Sequence, residues 1–380
     1  MRRLAVIAVL VVALAGVALG AVATRSRQPS SPQASSWSLS FVSRSADLTS
    51  VSCPAARTCY SIEERVSSGG LPFIGTTNDG RSWTTAHVPV RGVLGSGAPT
   101  ALACPSQEVC VVLTSFHGSS DRKSVTEALV TSDAGRHWQV RSSLAPSFSP
   151  TGLSCGSVDS CVVIGTSGNR PTAYATRDGG TRWTVPSGVS LGGLPLSIWC
   201  GRRKLCLMGT WGETSTPVLV STNEGFAWRR TAVQKERPAT FYNVDSVGCT
   251  QAEPITCYAG AWGVASMAGF AGVLTAEGAS LTTWRSAFKA PLGFLSARVG
   301  DSCSVAVQRL CIVFVVDTQK VERTFVFTPG STKWLTASSP PRSDGQILSF
   351  ECASGGACWA VTVPLPFHGG PFRILRYGPS

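Results

Sequence analysis

Seven short stretches of this chain alternate small and apolar residues, and each runs directly into a cysteine. They read TSVS, TALA, TGLS, LSIW, DSVG, VGDS and LSFE. A second cysteine follows each one, and after it comes an apolar, often β-branched run: YSI, VVL, VVIG, LMG, YAG, IVFVV or WAVTV. Alternation of period two predicts a strand with one face covered, and a continuous apolar run predicts one covered on both faces. Each pair of stretches therefore predicts a β-hairpin, repeated along the chain.

The cysteines mark the repeat. Five residues separate Cys53 from Cys59, Cys104 from Cys110, Cys155 from Cys161, Cys200 from Cys206 and Cys352 from Cys358; seven separate Cys249 from Cys257 and Cys303 from Cys311. The first members advance by 51, 51, 45, 49, 54 and 49 residues, which is the spacing of one supersecondary unit. A structural metal site would use closer pairs and usually histidine, and the chain has only 4 histidines. Opposed residues in an antiparallel pair lie within disulfide reach, so the expectation is one disulfide at the mouth of each hairpin and no metal or other cofactor.

A second motif follows the first six hairpins, clearest as TTNDGRSW at 76–83, TSDAGRHW at 131–138, TRDGGTRW at 176–183 and STNEGFAW at 221–228. Weaker copies occupy 275–284 and 328–334. Asp79, Asp133 and Asp178 are turn residues whose carboxylates accept backbone N–H groups, with Glu224 near the same place in the fourth copy. Gly80, Gly135, Gly180 and Gly225 supply positive φ, and Trp83, Trp138, Trp183 and Trp228 open the next strand and bury a large ring. These segments resemble the Asp-box, Ser/Thr-x-Asp-x-Gly-x-x-Trp, of sialidase-type and related β-propellers. The resemblance covers residues 37–380 and implies boxes at the periphery, away from any ligand. With four strands per repeat, the expected fold is all-β: a seven-bladed propeller with one hairpin disulfide per blade. The last repeat ends at PFRILRYGPS without its tryptophan. Trp37, in SSWSLSF, is expected to supply the missing outer strand and close the ring.

Ahead of the repeats, Arg2 and Arg3 precede twenty small and apolar residues, Leu4 to Ala23. That length matches a bilayer core of about 30 Å, while Ala21-Val22-Ala23 offers a small-residue cleavage pattern. Residues 1–24 thus read as a signal peptide or a signal anchor, an N-terminal helix, and residues 25–36 as a Pro/Ser linker. Either way the repeat domain is extracytoplasmic, membrane-anchored or secreted, in a compartment that oxidises thiols.

Candidate ligand residues come from two places. The loops after the second strands carry Phe116 and His117, Trp211, Trp262, and Phe367 and His368, aromatics that either contact a ligand or pack between blades. Directly before the first cysteine most repeats place Ser, Ala or Gly, and Trp199 and Glu351 break that rule near the axis. The sialidase resemblance also implies an arginine triad, a Tyr–Glu nucleophile pair and an Asp acid/base. The only echo of its first-arginine motif is Phe372-Arg373-Ile374-Leu375, which lacks the proline and stands at the wrong end. The adjacent Glu63 and Glu64 point to opposite faces of a strand. No catalytic residue is assigned. The formal charge is +12, of which Arg2 and Arg3 supply two, and Arg202-Arg203-Lys204 forms a basic cluster in one disulfide loop. The location argues against nucleic acid.

The expected function is therefore a monomeric, non-catalytic binding or assembly propeller at the cell envelope. Its partner would be a protein, peptide or glycan, possibly anionic, held at the axial face. Similar propellers include the photosystem II assembly factors, which act as binding platforms. The alternative is a sialidase-like glycoside hydrolase.

Overall fold

The computed structural model describes residues 36–43, 48–64, 70–90, 100–117, 124–187, 191–211, 218–234, 240–250, 255–265, 268–278, 281–289, 294–299, 311–317, 322–327, 334–338, 340, 346–353, 357–364 and 371–378. The described elements are all strands. Four sheets have four strands each. The first joins Leu48–Ala55, Thr58–Glu63, Leu71–Thr76 and Thr84–Val88; the second joins Thr100–Ala103, Cys110–His117, Ser124–Thr131 and Gln139–Ser143. A third joins Phe294–Val299, Cys311–Asp317, Glu322–Phe327 and Trp334–Thr336. The fourth combines Gln346–Cys352, Cys358–Val363 and Phe372–Gly378 with the N-terminal strand Ser36–Ser43.

The expectation of seven separate blades is corrected here. The four four-stranded blades are accompanied by a three-stranded sheet, Phe148–Cys155 with Cys161–Ser167 and Arg170–Thr176, and by one continuous nine-stranded sheet spanning Leu194–Cys200 to Thr283–Lys289. The three-stranded sheet lacks a fourth strand because only an isolated bridge, Ala175 to Thr184, forms before Pro186, which has no N–H to donate. Two contacts build the nine-stranded sheet. Trp211 bridges to Asn243, and the segment after the fourth box divides at Thr231. Arg229–Arg230 pairs within its own sheet, while Ala232–Val233 runs parallel to Thr283–Lys289 of the next. The helix expected of residues 1–24 and the linker up to residue 35 lie outside the described residues. Among those described, no helix is long and apolar enough to cross a membrane.

Six disulfides close hairpins: Cys53–Cys59, Cys104–Cys110, Cys155–Cys161, Cys200–Cys206, Cys249–Cys257 and Cys352–Cys358. In four of them the cysteines face each other in the strand register. Cys303, and with it the expected Cys303–Cys311 bridge, lies outside the described residues. These bridges fit an oxidising, extracytoplasmic environment.

The four strong boxes share one hydrogen-bond pattern. In each, the leading Thr or Ser hydroxyl accepts the N–H of the glycine four residues on (Gly80, Gly135, Gly180 or Gly225). Oδ1 of the third residue accepts the N–H of the seventh: Asn78 from Ser82, Asp133 from His137, Asp178 from Arg182, Asn223 from Ala227. Asn78 therefore fills the role expected of Asp79, because only the third position places a side-chain oxygen inside the turn. Asp79 and Glu224 stand at the fourth position instead, both with φ 65°. The box glycines combine positive φ with close approach. A Cβ on Gly80 would strike the Trp359 ring, and one on Gly135 the Phe73 ring. The box tryptophans pack the same way. Trp83 meets Trp359 edge-on, Trp138 meets Phe73, and Trp228 joins the core around Val162 and Ile164. Each ring thus buries itself against the preceding sheet, so the core is a series of layers between successive sheets.

The N-terminal strand supplies what the C-terminal strand lacks in sequence. Ser36–Ser43 pairs antiparallel with Phe372–Gly378, with Trp37 opposite Tyr377 and their rings 5.1 Å apart. Arg376 donates from Nε and Nη2 to the two carboxylate oxygens of Asp79 at 3.0 and 2.7 Å, tying this sheet to the first box. Deleting residues 37–42 should lower the unfolding midpoint of the whole domain; an unchanged thermal melt would refute that role. Asp79→Ala, which removes two charge-assisted hydrogen bonds from a half-buried guanidinium, should cost about 1–2 kcal/mol in denaturant unfolding.

Candidate functional site

The inner strands lie side by side. Leu48–Ala55 sits between Gln346–Cys352 and Thr100–Ala103, and then follow Phe148–Cys155, Leu194–Cys200 and Thr240–Cys249. They enclose an axial cavity of about 700 Å³. Three residues before each first cysteine the lining is small: Ser50, Ala101, Gly152, Ser197, Ser246 and Ser349. Crowding at the axis explains that choice, since a larger side chain would meet its neighbours from the adjacent inner strands.

One position further back, the register slips. Thr49, Thr151, Leu196, Asp245 and Leu348 are each skipped in the pairing with the second strand, a β-bulge. All five line the cavity. Each stands four residues before its cysteine, so a constant offset marks them in the sequence. The bulge itself is a pairing event that no residue type announces, and Asp245 was missed for that reason. Leu196 and Leu348 are 38% and 43% exposed, two apolar side chains held open to the cavity among hydroxyls.

The position directly before the first cysteine links neighbouring strands. Ser52 Oγ accepts the N–H of Cys104 at 3.0 Å, and Ser154 Oγ accepts that of Cys200 at 2.8 Å. Glu351 occupies the equivalent place, and its carboxylate accepts from the N–H of Cys53 and the Ser52 hydroxyl. Desolvation in the cavity outweighs those bonds and pushes the Glu351 carboxyl up to about 7. Trp199, also at this position, lines the cavity but is almost fully buried, in a core cluster with Leu207, Val244 and Val247. Arg202 lines the rim at the disulfide end.

The remaining aromatic candidates are elsewhere. Trp211 is 48% exposed and Trp262 half-buried, and both stand opposite Asn243 in the strand register. They occupy the ends of their strands remote from the disulfides and do not line the cavity. Phe116 is buried. The His117 side chain, Phe367 and His368 lie outside the described residues. The turn acids are engaged. The N–H and then the imidazole of His137 hold the Asp133 carboxyl down to about 2, and the Arg182 N–H lowers that of Asp178. Among the described residues no group of His, Cys, Asp or Glu is placed to hold a metal ion.

Solved β-propellers share this architecture. The BP39L lectin from Burkholderia pseudomallei superposes with a TM-score of 0.60 at 13% identity, covering 88% of this chain and 99% of that one. YCF48 bound to D1 peptide gives 0.55 at 12% identity, covering 91% and 97%. The GH74 xyloglucanase from Xanthomonas campestris gives 0.54 at 14% identity, covering 90% of this chain but 55% of that enzyme. No family model and no curated protein matches the chain, so these likenesses establish the fold alone.

The raised Glu351 carboxyl sets the sign of a pH effect. Its ordinary value is 4.5 and its folded value about 7, so between them the folded state holds a proton the unfolded state has lost. Stability from this group is full below about 4.5 and declines until about 7, by about 1–3 kcal/mol in all. Glu351→Gln should remove that slope between pH 5 and 7 in thermal melts, and an identical slope would reject the assignment.

Proposed function

We propose that this chain is an extracytoplasmic, non-catalytic binding propeller of the Asp-box type. Its axial cavity receives part of a peptide or glycan partner. The observation that carries this reading is the cavity lining: small hydroxyl side chains, two half-buried carboxylates and two exposed leucines. Such a mixture offers hydrogen bonds and apolar contact to a solvated chain. Among the described residues the lining contains one arginine, Arg202, whereas the hydrolase reading needs three around a substrate carboxylate. Trp211 and Trp262 belong, on this reading, to the opposite mouth, where a longer partner would meet them.

Peptide and glycan arrays probed with the oxidised protein provide the test. Leu196→Trp and Leu348→Trp fill the cavity from bulge positions that already accept large side chains. Each should weaken binding of array hits at least tenfold while leaving the melting temperature within a few degrees. Hits that bind both variants like the parent protein would place the site elsewhere. Turnover on a panel of fluorogenic glycosides, abolished by Glu351→Gln, would favour the hydrolase.

A further inference from the structure

The disulfide end of the domain is a single surface with an unbalanced charge. In every strong box the fourth residue donates its N–H to a carbonyl of the cysteine-closed loop: Asp79 to Arg57, Ala134 to Glu108, Gly179 to Asp159, and Glu224 to Lys204. Box turns and hairpin loops therefore form one face. The chain also enters the domain there, because Ser36 pairs with Gly378, next to Tyr377, which faces Cys358.

Most carboxylates on this face are used internally. Asp133 and Asp178 cap their own turns, Asp79 holds Arg376, and Glu224 accepts from Arg177 Nε at 2.6 Å. Among the described residues, Arg57, Arg81, Arg136, Arg202 and Lys204 are exposed and make no ion pair, and Glu108 and Asp159 are the other exposed acids on these loops. Arg57, Arg202 and Lys204 sit on loops that leave the inner strands. Arg81 and Arg136 sit on the peripheral box turns. Cations therefore stand at two distances from the axis.

We propose that this face docks a linear polymer of phosphate groups. Guanidinium forks match phosphate oxygens in pairs, and four of the five unpaired cations are arginines. Their dispersal over separate loops suits a flexible chain of repeated charges better than one phosphate. This surface shares Arg202 with the rim of the axial cavity and is otherwise separate from its lining, so Arg57→Gln/Arg81→Gln tests it independently of that reading.

The probe is long-chain inorganic polyphosphate, presented to the full-length oxidised protein over a range of sodium chloride. Binding should weaken steeply with salt. The double variants Arg57→Gln/Arg81→Gln and Arg202→Gln/Lys204→Gln should each lose at least tenfold affinity at fixed salt. Each should also reduce the log–log salt slope by about 0.7–0.9 per cation removed, the range known for nucleic-acid phosphates. Melting temperatures should stay unchanged, and Leu348→Trp should bind polyphosphate like the parent protein. Variants that bind normally, binding insensitive to salt, or equal binding of orthophosphate would each overturn the proposal. So would a charge-dependent loss seen with phosphatidylglycerol vesicles but not with polyphosphate, which would assign the face to a lipid surface.

Discussion

The contact on which the described domain depends most is the pairing of Ser36–Ser43 with Phe372–Gly378. Every other sheet draws its strands from one stretch of chain and packs on its sequence neighbours. Only this sheet needs both ends of the chain. Without the N-terminal strand, Phe372–Gly378 would leave a row of backbone donors and acceptors unpaired. Several interactions converge to hold it. Trp37 packs on Tyr377 and donates from Nε1 to the Ser338 carbonyl. Ser40 accepts from Trp83 Nε1 and donates to the Gly80 carbonyl. Asp79 and Arg376 complete a hydrogen-bonded seam between the last sheet and the first.

The seam reuses a repeated device. A positive-φ fourth residue in the box lifts its side chain out of the turn toward a neighbouring sheet. Glu224 does this for Arg177, whose guanidinium also stacks 3.9 Å from the Phe226 ring. Box and disulfide thus act at the same end of each hairpin. One fixes the turn by backbone hydrogen bonds, and the other fixes the loop by a covalent bond. Asp79, Asp133, Asp178 and Glu224 are committed to holding that end together. Arg57, Arg81, Arg136 and Arg202 face solvent there.

Much of the candidate site was legible, though unevenly. Glu351 stood out because an acid replaced Ser, Ala or Gly at a repeated position, and the structure puts it on the cavity. The same rule picked Trp199, yet its ring is spent largely on packing with Val244 and Val247. Asp245 escaped notice, since its access to the axis comes from a register slip between Val244 and Ser246. The turn role was expected of Asp79, and Asn78 holds it instead. Geometry in the turn gave the role to the third position.

Local chemistry in the sequence determined the hairpins, the disulfide partners, the turn glycines and the need for Trp37 at the far end. All of these follow from periodicity, spacing and backbone conformation within a few residues. The tertiary structure alone decided how the strands divide into sheets. A single bridge from Trp211 to Asn243 and a two-residue parallel contact at Ala232–Val233 merge strands that the repeat would keep apart. Such contacts depend on where two edges come to lie, and one backbone bridge leaves no compositional trace. The same is true of the bulges that turn Thr49, Leu196 and Asp245 into the cavity.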